Sequence, residues 1–519
     1  MAATAGGIRW TSSIWLSTMR ALLPESRRGA MAWLALTVIV SYFNALPGAF
    51  QFDDYKVIVD NPSVHSWEAW FACLGQGIRP LLKFSYTFDW TLGLGVTGFH
   101  LTNLLIHLAN AWLVFRLSET LIEHCQLDVG RASARHASHK PLEAVGLNPD
   151  LRYVNSVPLF AALLFAVHPA HTEAVTYICG RSTSLMTLFY LGGLLAYVTG
   201  RAMQNNAQKN NSGQNNSGQN NSGQNNSRQA RFRLYAVTPL LFILALSVKE
   251  TAVTFPLALL IWELCFGKFG FNKLGGGAWK AAFKAQWPSW VVLLAGTLLF
   301  LFNDNYLSQM ERSAEFNTLQ GNIATQLAAF AYLLRQWALP LWLNIDPDLP
   351  LLRDLSGSLL PTLFFLAVFA LMLACWRRRP WLGFALAWAI IQLLPLHLFL
   401  PRLDIANDRQ LHLACWPLFL ALAAELALLL NTKTFRIVCT ALLLALASLT
   451  LLRNQVYVDE VALWEDTARK SPHKARAHNN LGHAYKLAGR SEEARREFAL
   501  ALRLDPVHIK ARYNLEETP

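Results

Sequence analysis

The apolar residues of this chain gather into runs of about the length that crosses a bilayer, and that pattern leaves few folds open to it. A hydrocarbon layer ~30 Å thick is spanned by about 20 helical residues. Such runs lie at 30–48, 99–119, 157–173, 183–200, 234–248, 250–266, 288–304, 358–376, 381–399, 411–430 and 435–452, about eleven spans. The two between Leu234 and Phe266 are short and meet at Lys249-Glu250, as a helix pair or as one kinked helix. Only 15% of the 519 residues are charged, where a soluble chain carries about one-quarter. The expected architecture is an all-α polytopic membrane protein.

Basic residues set the expected orientation. Arg20, Arg27 and Arg28 precede the first span, and Arg131, Arg135 and Lys140 follow the second. Arg201, Arg228, Arg231 and Arg233 follow the fourth, and Lys268, Lys273, Lys280 and Lys284 the sixth. Arg377, Arg378 and Arg379 follow the eighth, and Lys433 and Arg436 the tenth. All fall on one side if the amino terminus is cytoplasmic. The opposite loops carry Asp53, Asp54, Asp60, Glu68 and Asp89, then Asp346, Asp348 and Asp354. An odd number of spans sends the carboxyl terminus outward. Gln326–Leu343 reads as an interfacial helix with Arg335 on its polar side, because counting it as a span would place Arg377–Arg379 outside. The net charge of +12 is then an orientation signal set against anionic lipid, not a nucleic-acid footprint. The first span reads as an uncleaved anchor. Seven cysteines, mostly inside spans, show neither a disulfide framework nor metal spacing.

The chain divides into a membrane body, 1–453, and a small carboxyl-terminal module, 454–519. In the body, the first external loop, 49–98, is rich in Trp, Phe and Pro and reads as folded. The segment 201–233 repeats Asn-Asn-Ser-Gly-Gln and reads as a flexible cytoplasmic loop, its Asn-x-Ser triplets, such as Asn215–Ser217, on the wrong side for glycosylation. The module carries one tetratricopeptide repeat over 475–508: Leu481-Gly482, Tyr485, Ala494, Phe498, Ala501 and Pro506 supply its apolar knobs, small contact residues and stop. Trp464 and Pro472 fit a preceding partial repeat, and Ala511–Leu515 begins a following one. Because one repeat is marginal alone, this one is expected to lean on the last span through a helix near Asn454–Arg469.

Polar residues crowd the expected external ends of the spans, and in a membrane protein such groups are functional candidates. Asp53 and Asp54 follow the first span, and either carboxylate can act as general base or simply cap and solvate a loop. Arg79 lies in the same loop. His100, Asn103 and His107 share one face of the second span. His168, His171 and Glu173 end the third, with Arg181 after them. Their spacing is not a zinc pattern, and Pro169 disturbs the helix, so they read as a polar cavity wall with no metal. Lys249-Glu250 reads as a charge couple at a helix-pair tip. Asp408-Arg409 precedes the tenth span. Carboxylates beside Arg, Lys and His at one face suit a lipid-phosphate sugar. Cations bind the phosphate and stabilise its departure, while a carboxylate takes the proton of the attacking hydroxyl.

Several ordered blocks resemble the transmembrane and tetratricopeptide-repeat O-mannosyltransferase-like family, and more widely the GT-C glycosyltransferases, along nearly the whole chain. They are Phe52-Asp53-Asp54 with Asn61-Pro62, Arg79-Pro80, and Phe99 to His107. Leu164 to Val175 with Gly180-Arg181, Lys249-Glu250-Thr251, Asp408-Arg409 and Leu463-Trp464 complete them. The resemblance implies a GT-C-type bundle and inverting transfer of a sugar, mannose among the options, from a polyprenyl- or dolichyl-phosphate to a hydroxyl. Protein Ser/Thr is the implied acceptor, engaged through the repeat, and no cofactor is required beyond the lipid-linked donor. It implies Asp53 as base, with Asp54 second. The donor contacts would be Arg79, His100, Asn103, His107, His168, His171, Glu173, Arg181, Lys249, Glu250 and Arg409. Two departures bear on substrate: the repeat array is short, and Gln410 follows Arg409 where relatives carry an aromatic. The expected place is a bacterial inner membrane with the site and repeat periplasmic, or the endoplasmic reticulum in a eukaryote. The rival readings are a glycan-extending or ligating transferase of the same fold, and a non-catalytic assembly factor displaying the repeat. Charged residues are too scarce at mid-span for a transporter.

Overall fold

The computed structural model describes residues 26–75, 78–136, 156–212, 220–266, 276–302, 307–308, 317–394, 398 and 404–518. Arg20, Lys140, Lys268 and Lys273, and the middle of the Asn-rich segment, fall outside them. All regular structure among the described residues is helical. The centre of the bundle is Ser156–Val167, whose residues from Val157 onward are all buried. It is apolar on every side, so it needs neighbours on every side. They are Gly95–His136, Trp416–Leu429, Arg27–Tyr42 and Thr432–Gln455.

Among the described residues, four helices are long and apolar enough to cross a membrane: Ile178–Ala207, Gln224–Val248, Ser356–Cys375 and Thr432–Gln455. A fifth appears if Asp408–Ala414 and Trp416–Leu429, bent by 63°, count as one span. This is fewer than the apolar runs because a run is not always one helix. The run 157–173 stops at Val167, where Pro169 opens a 3-10 turn, since proline cannot donate to the helical ladder. The run 250–266 divides into a 3-10 turn, Glu250–Thr254, and Phe255–Phe266. Pro417 stands at the bend of the 63° pair. Each break sets polar side chains at the end of a buried helix, and the candidate site is built from such ends.

Three further segments depart from expectation or refine it. The stretch 201–233, read as a flexible loop, is helical wherever described: Arg181–Ser212 runs through its start and Asn220–Phe232 through its end. Arg201 fastens the first of these, with Nε and Nη2 on Glu263 at 2.6 and 3.0 Å and Nη1 on Gln204 at 2.8 Å. The helix expected at 326–343 lies at Leu319–Ala338, capped by Thr318, with Arg335 exposed. The first loop is folded, carrying the helices Trp67–Ala72 and Pro80–Leu92. His65 stacks on Trp90 with centroids 3.8 Å apart, and Trp67 and Trp70 both contact Phe84.

The carboxyl-terminal helices are Glu460–Lys470, Ala475–Leu487, Ser491–Leu504 and Ile509–Glu516. The middle two form an antiparallel hairpin turning at Gly489, whose φ of 75° suits a residue without Cβ. Trp464, Ala468, Leu481, Ala484, Tyr485, Ala494 and Phe498 make its core. A Cβ on Gly482 would stand 2.7 Å from the Phe498 ring, so only glycine lets the two helices approach this closely. The hairpin is docked rather than free. Arg453 reaches from Thr432–Gln455 to Asp466 at 2.7 Å, Ser471 Oγ donates to the Asp346 carbonyl at 2.8 Å, and Lys470 Nζ donates to the Leu343 carbonyl at 2.9 Å.

Candidate active site

Phe52 precedes the Asp53-Asp54 pair with φ at 48°, a left-handed conformation that costs a non-glycine residue about 1 kcal/mol or more. Its ring meets Trp464 edge-on with centroids 5.1 Å apart. Beyond it, the two carboxylates part. Asp54 turns inward and is 1% exposed. Its Oδ2 accepts from the Gln51 N–H at 3.0 Å and its Oδ1 from the Cys179 N–H at 2.8 Å. Burial pushes this carboxyl up to about 7, against the pull of those hydrogen bonds. Both oxygens are engaged, one closing the turn at Gln51 within the first loop and the other tying that loop to the turn at Ile178–Gly180, so Asp54 positions its neighbour.

Asp53 stays half-buried and lines a cleft with Glu173, Tyr177, Asp404, Arg409 and Arg476, walled by Phe52, Trp464, Ile345 and Asp346. Its backbone N–H donates to the Tyr177 hydroxyl at 3.2 Å. Burial raises the Asp53 carboxyl above the usual carboxylate range; Arg409 pulls it back, Asp404 raises it further, and a hydrogen bond from Tyr177 and the charge of Lys56 lower it. A carboxylate raised in this way is a better proton acceptor than one loose in solvent. Arg409 is positioned by Glu173, which accepts its backbone N–H at 3.0 Å and lies 3.4 Å from its Nε. Glu173 is itself 1% exposed. The break after Val167 thus brings an acid from one span end against a cation from another. The cleft offers what acid–base and phosphate chemistry need: an accessible carboxylate opposite a guanidinium that retains donors.

The other sequence candidates stand elsewhere. Arg181 is 0% exposed and saturated. It donates to Asn103 Oδ1 at 2.5 Å, the Phe99 carbonyl at 2.8 Å and the Ser85 carbonyl at 3.1 Å, and pairs with Asp89 at 2.5 Å. Asn103 is spent between Arg181 and the Val175 carbonyl. His107, His168 and His171 join His412 in a ring-to-ring cluster, with His171 and His412 centroids 4.9 Å apart. Each of the three directs one nitrogen to a backbone carbonyl, of Ala166, Trp337 and Phe165 respectively, which fixes that nitrogen as the N–H donor. His100 is packed against Gly48, where a Cβ would come within 3.0 Å of its Nε2. None of these histidines lines the cleft. They pack the polar ends of the spans.

Lys249 Nζ donates to Thr183 Oγ1 at 2.7 Å, and Glu250, which opens a 3-10 turn, takes Arg79 at 2.8–3.1 Å. Arg79 holds a left-handed φ of 60° there. This cluster does not line the cleft either.

Tyr177, Ile345, Asp404 and Arg476 are the cleft residues the sequence does not single out. Tyr177 and Arg476 sit in apolar and repeat-like surroundings that read as packing, and Asp404 is one more acid near an arginine. Trp464 was legible only as a repeat knob, and Asp346 only as an orientation marker.

The chain is similar along nearly its whole length to Protein O-mannosyl-transferase Tmtc3 of Drosophila melanogaster, 25% identical over 95% of this chain and 57% of that one. Human Protein O-mannosyl-transferase TMTC3 is 22% identical over 93% of this chain and 52% of its own. For human Protein O-mannosyl-transferase TMTC1 the figures are 25%, 94% and 56%. The chain therefore spans about half the length of the curated relatives it matches. No family model matches it, and no solved structure does.

Proposed function

We propose, from the premise that this chain belongs to the transmembrane and tetratricopeptide-repeat O-mannosyltransferase-like family, that it transfers a sugar from a polyprenyl-phosphate to a protein hydroxyl in the cleft of Asp53 and Arg409. The observation that carries this reading is the meeting of an accessible, elevated carboxylate and a held guanidinium contributed by opposite ends of the chain. In the reaction, the acceptor oxygen attacks the anomeric carbon and Asp53 takes its proton. The bond from that carbon to the phosphate oxygen breaks, and the electron pair leaves on the lipid phosphate. Arg409 neutralises that developing charge, and the anomeric configuration inverts. Glu173 holds Arg409 in place.

The same reading supplies the finer architecture: a GT-C-type body of about eleven spans, some of them broken, and a tetratricopeptide module that holds an extended acceptor polypeptide. The cleft opens on the face opposite the basic residues, whether periplasmic or luminal. The animal relatives fit the endoplasmic-reticulum alternative. Full-length protein in detergent, given polyprenyl-phosphate mannose and a Ser/Thr peptide, should add one hexose to the peptide with the anomer reversed. Transfer to a glycan in place of the peptide would replace the acceptor, and no hexose transfer by folded protein would sink the reading.

A further inference from the structure

The carboxyl-terminal module contributes a cation to the same cleft. Arg476 opens the helix Ala475–Leu487 and reaches back to the membrane body. Its Nε and Nη2 donate to the Asp346 carboxylate at 2.7 and 2.5 Å. Its Nη2 also lies 2.7 Å from Asp404 Oδ1, while Asp404 Oδ2 lies 4.0 Å from Arg409 Nη2. One carboxylate therefore stands between two guanidiniums that come from different parts of the molecule.

The carboxylates around them differ. Asp346 has a side chain 4% exposed and is gripped by Lys474 as well as Arg476. The Asp404 side chain is 44% exposed, so the same contacts hold it far more weakly. Charge decides what such an arrangement admits. Among the residues lining the cleft, the carboxylates Asp53, Glu173, Asp346 and Asp404 outnumber the cations Arg409 and Arg476, with Lys474 and Lys56 acting on Asp346 and Asp53 from outside the lining. A phosphate entering that set would be repelled unless a carboxylate withdrew, and Asp404 is the most exposed of the ion-paired ones. Two forked guanidiniums across one anion are also the geometry that grips phosphate best.

We propose that Arg476 is a second donor-phosphate ligand beside Arg409, and that the Asp404 carboxylate bridging the two arginines is displaced by that phosphate. This rests on the proposed transfer from a lipid phosphate and deepens it. The helical hairpin then belongs to the donor site as well as serving an acceptor, which couples donor binding to the docking of the hairpin.

The test uses the full chain, purified in detergent, with farnesyl monophosphate as the probe and calorimetry as the readout. Arg476→Gln should weaken binding by about tenfold or more, the loss expected for a charged hydrogen bond, with a modest fall in melting temperature because Lys474 stays on Asp346. Arg476→Lys should recover part of it, keeping the charge without the fork. Asp404→Asn should tighten binding roughly two- to fivefold, the scale of one exposed ion pair released. If Arg476→Gln does not fold, Asp404→Asn decides: an unchanged affinity overturns the inference. Binding that survives Arg476→Gln but is lost in Arg409→Gln also overturns it, leaving Arg409 as the sole phosphate ligand and the proposed function intact. A parent protein that binds no probe removes the lipid-phosphate reading itself, and the inference with it.

Discussion

Arg181 and Arg409 are alike in sequence: each follows a polar block at the end of an apolar run, and each meets a carboxylate. In the structure they are opposites. Arg181 is 0% exposed, paired with Asp89, and its remaining donors end on Asn103, Ser85 and Phe99, with the Tyr86 and Phe99 rings 5.1 and 5.5 Å from it. Arg409 keeps 19% of its side chain exposed; Glu173 lies 3.4 Å away and Asp404 4.0 Å away. A saturated guanidinium has no donors left for a substrate, whereas an incompletely held one does. The same contrast separates Asp54, with both oxygens engaged, from Asp53, which faces the cleft. Residue type marks where charge sits at the span ends; saturation of hydrogen bonds decides which charges are free to work.

The sharpest way to break this contrast is to remove the base. Asp53→Asn should lower transfer by about 10²–10⁴-fold, the range for a positioned proton acceptor, with folding and membrane insertion intact. Wild-type transfer in that variant, measured as hexose added to a peptide, would take Asp53 out of the mechanism. Arg181→Gln should do the reverse, acting on assembly and not on the chemistry. It leaves the Asp89 carboxylate buried, without its guanidinium and still accepting from the Thr102 hydroxyl, and breaking such a pair costs about 3–5 kcal/mol. Yield and melting temperature should fall together. A stable Arg181→Gln protein that folds normally and has lost donor binding would return Arg181 to the site.

Asp54→Asn tests the contrast within a single dipeptide. An amide can accept one of the two N–H groups that Asp54 now accepts, leaving the other facing an NH₂. The expected cost is about 1–3 kcal/mol, read as a lower melting temperature, with transfer per folded molecule reduced far less than in Asp53→Asn. If Asp54→Asn instead abolished transfer at full stability, the roles of the two carboxylates would be exchanged.

What the sequence could tell, and what it could not, follows from the same physics. The helical class was legible because apolar runs of span length have few other fates. A carboxyl-terminal helical hairpin was legible as spacing, down to the small residue that meets Phe498. The ends of the spans were legible as places, since Asp53, Glu173 and Arg409 do converge. Their division of labour was not, because saturation is a three-dimensional property: residue type and spacing do not separate Arg181 from Arg409, and only the family resemblance ranks Asp53 above Asp54. The breaks at His168-Pro169 and Lys249-Glu250 were legible too, from a proline inside one run and from the split between two short ones. Arg476 was invisible because its partners, Asp346 and Asp404, lie on a different part of the chain.

The smallest expected effects come from the groups that tune Asp53, and they sharpen the contrast because a saturated site would show none of them. Arg409, Asp404, Tyr177 and Lys56 act on this carboxyl, and Glu173 lines the same cleft. Transfer should rise with pH as Asp53 loses its proton, along a limb lying above the usual carboxylate range because burial raises it. Asp404 adds to that rise, so Asp404→Asn should move the limb to lower pH. The Tyr177 hydroxyl opposes it by hydrogen-bonding the ionised form, so Tyr177→Phe should move the limb to higher pH and slow transfer near neutrality by about two- to tenfold, the worth of one neutral hydrogen bond. The two variants act on one carboxyl with opposite sign. A general loosening of the cleft would move both profiles the same way, so pH–rate curves for the pair separate tuning of a base from damage to its surroundings. Two profiles that coincide with the parent would mean that a group other than Asp53 sets the limb.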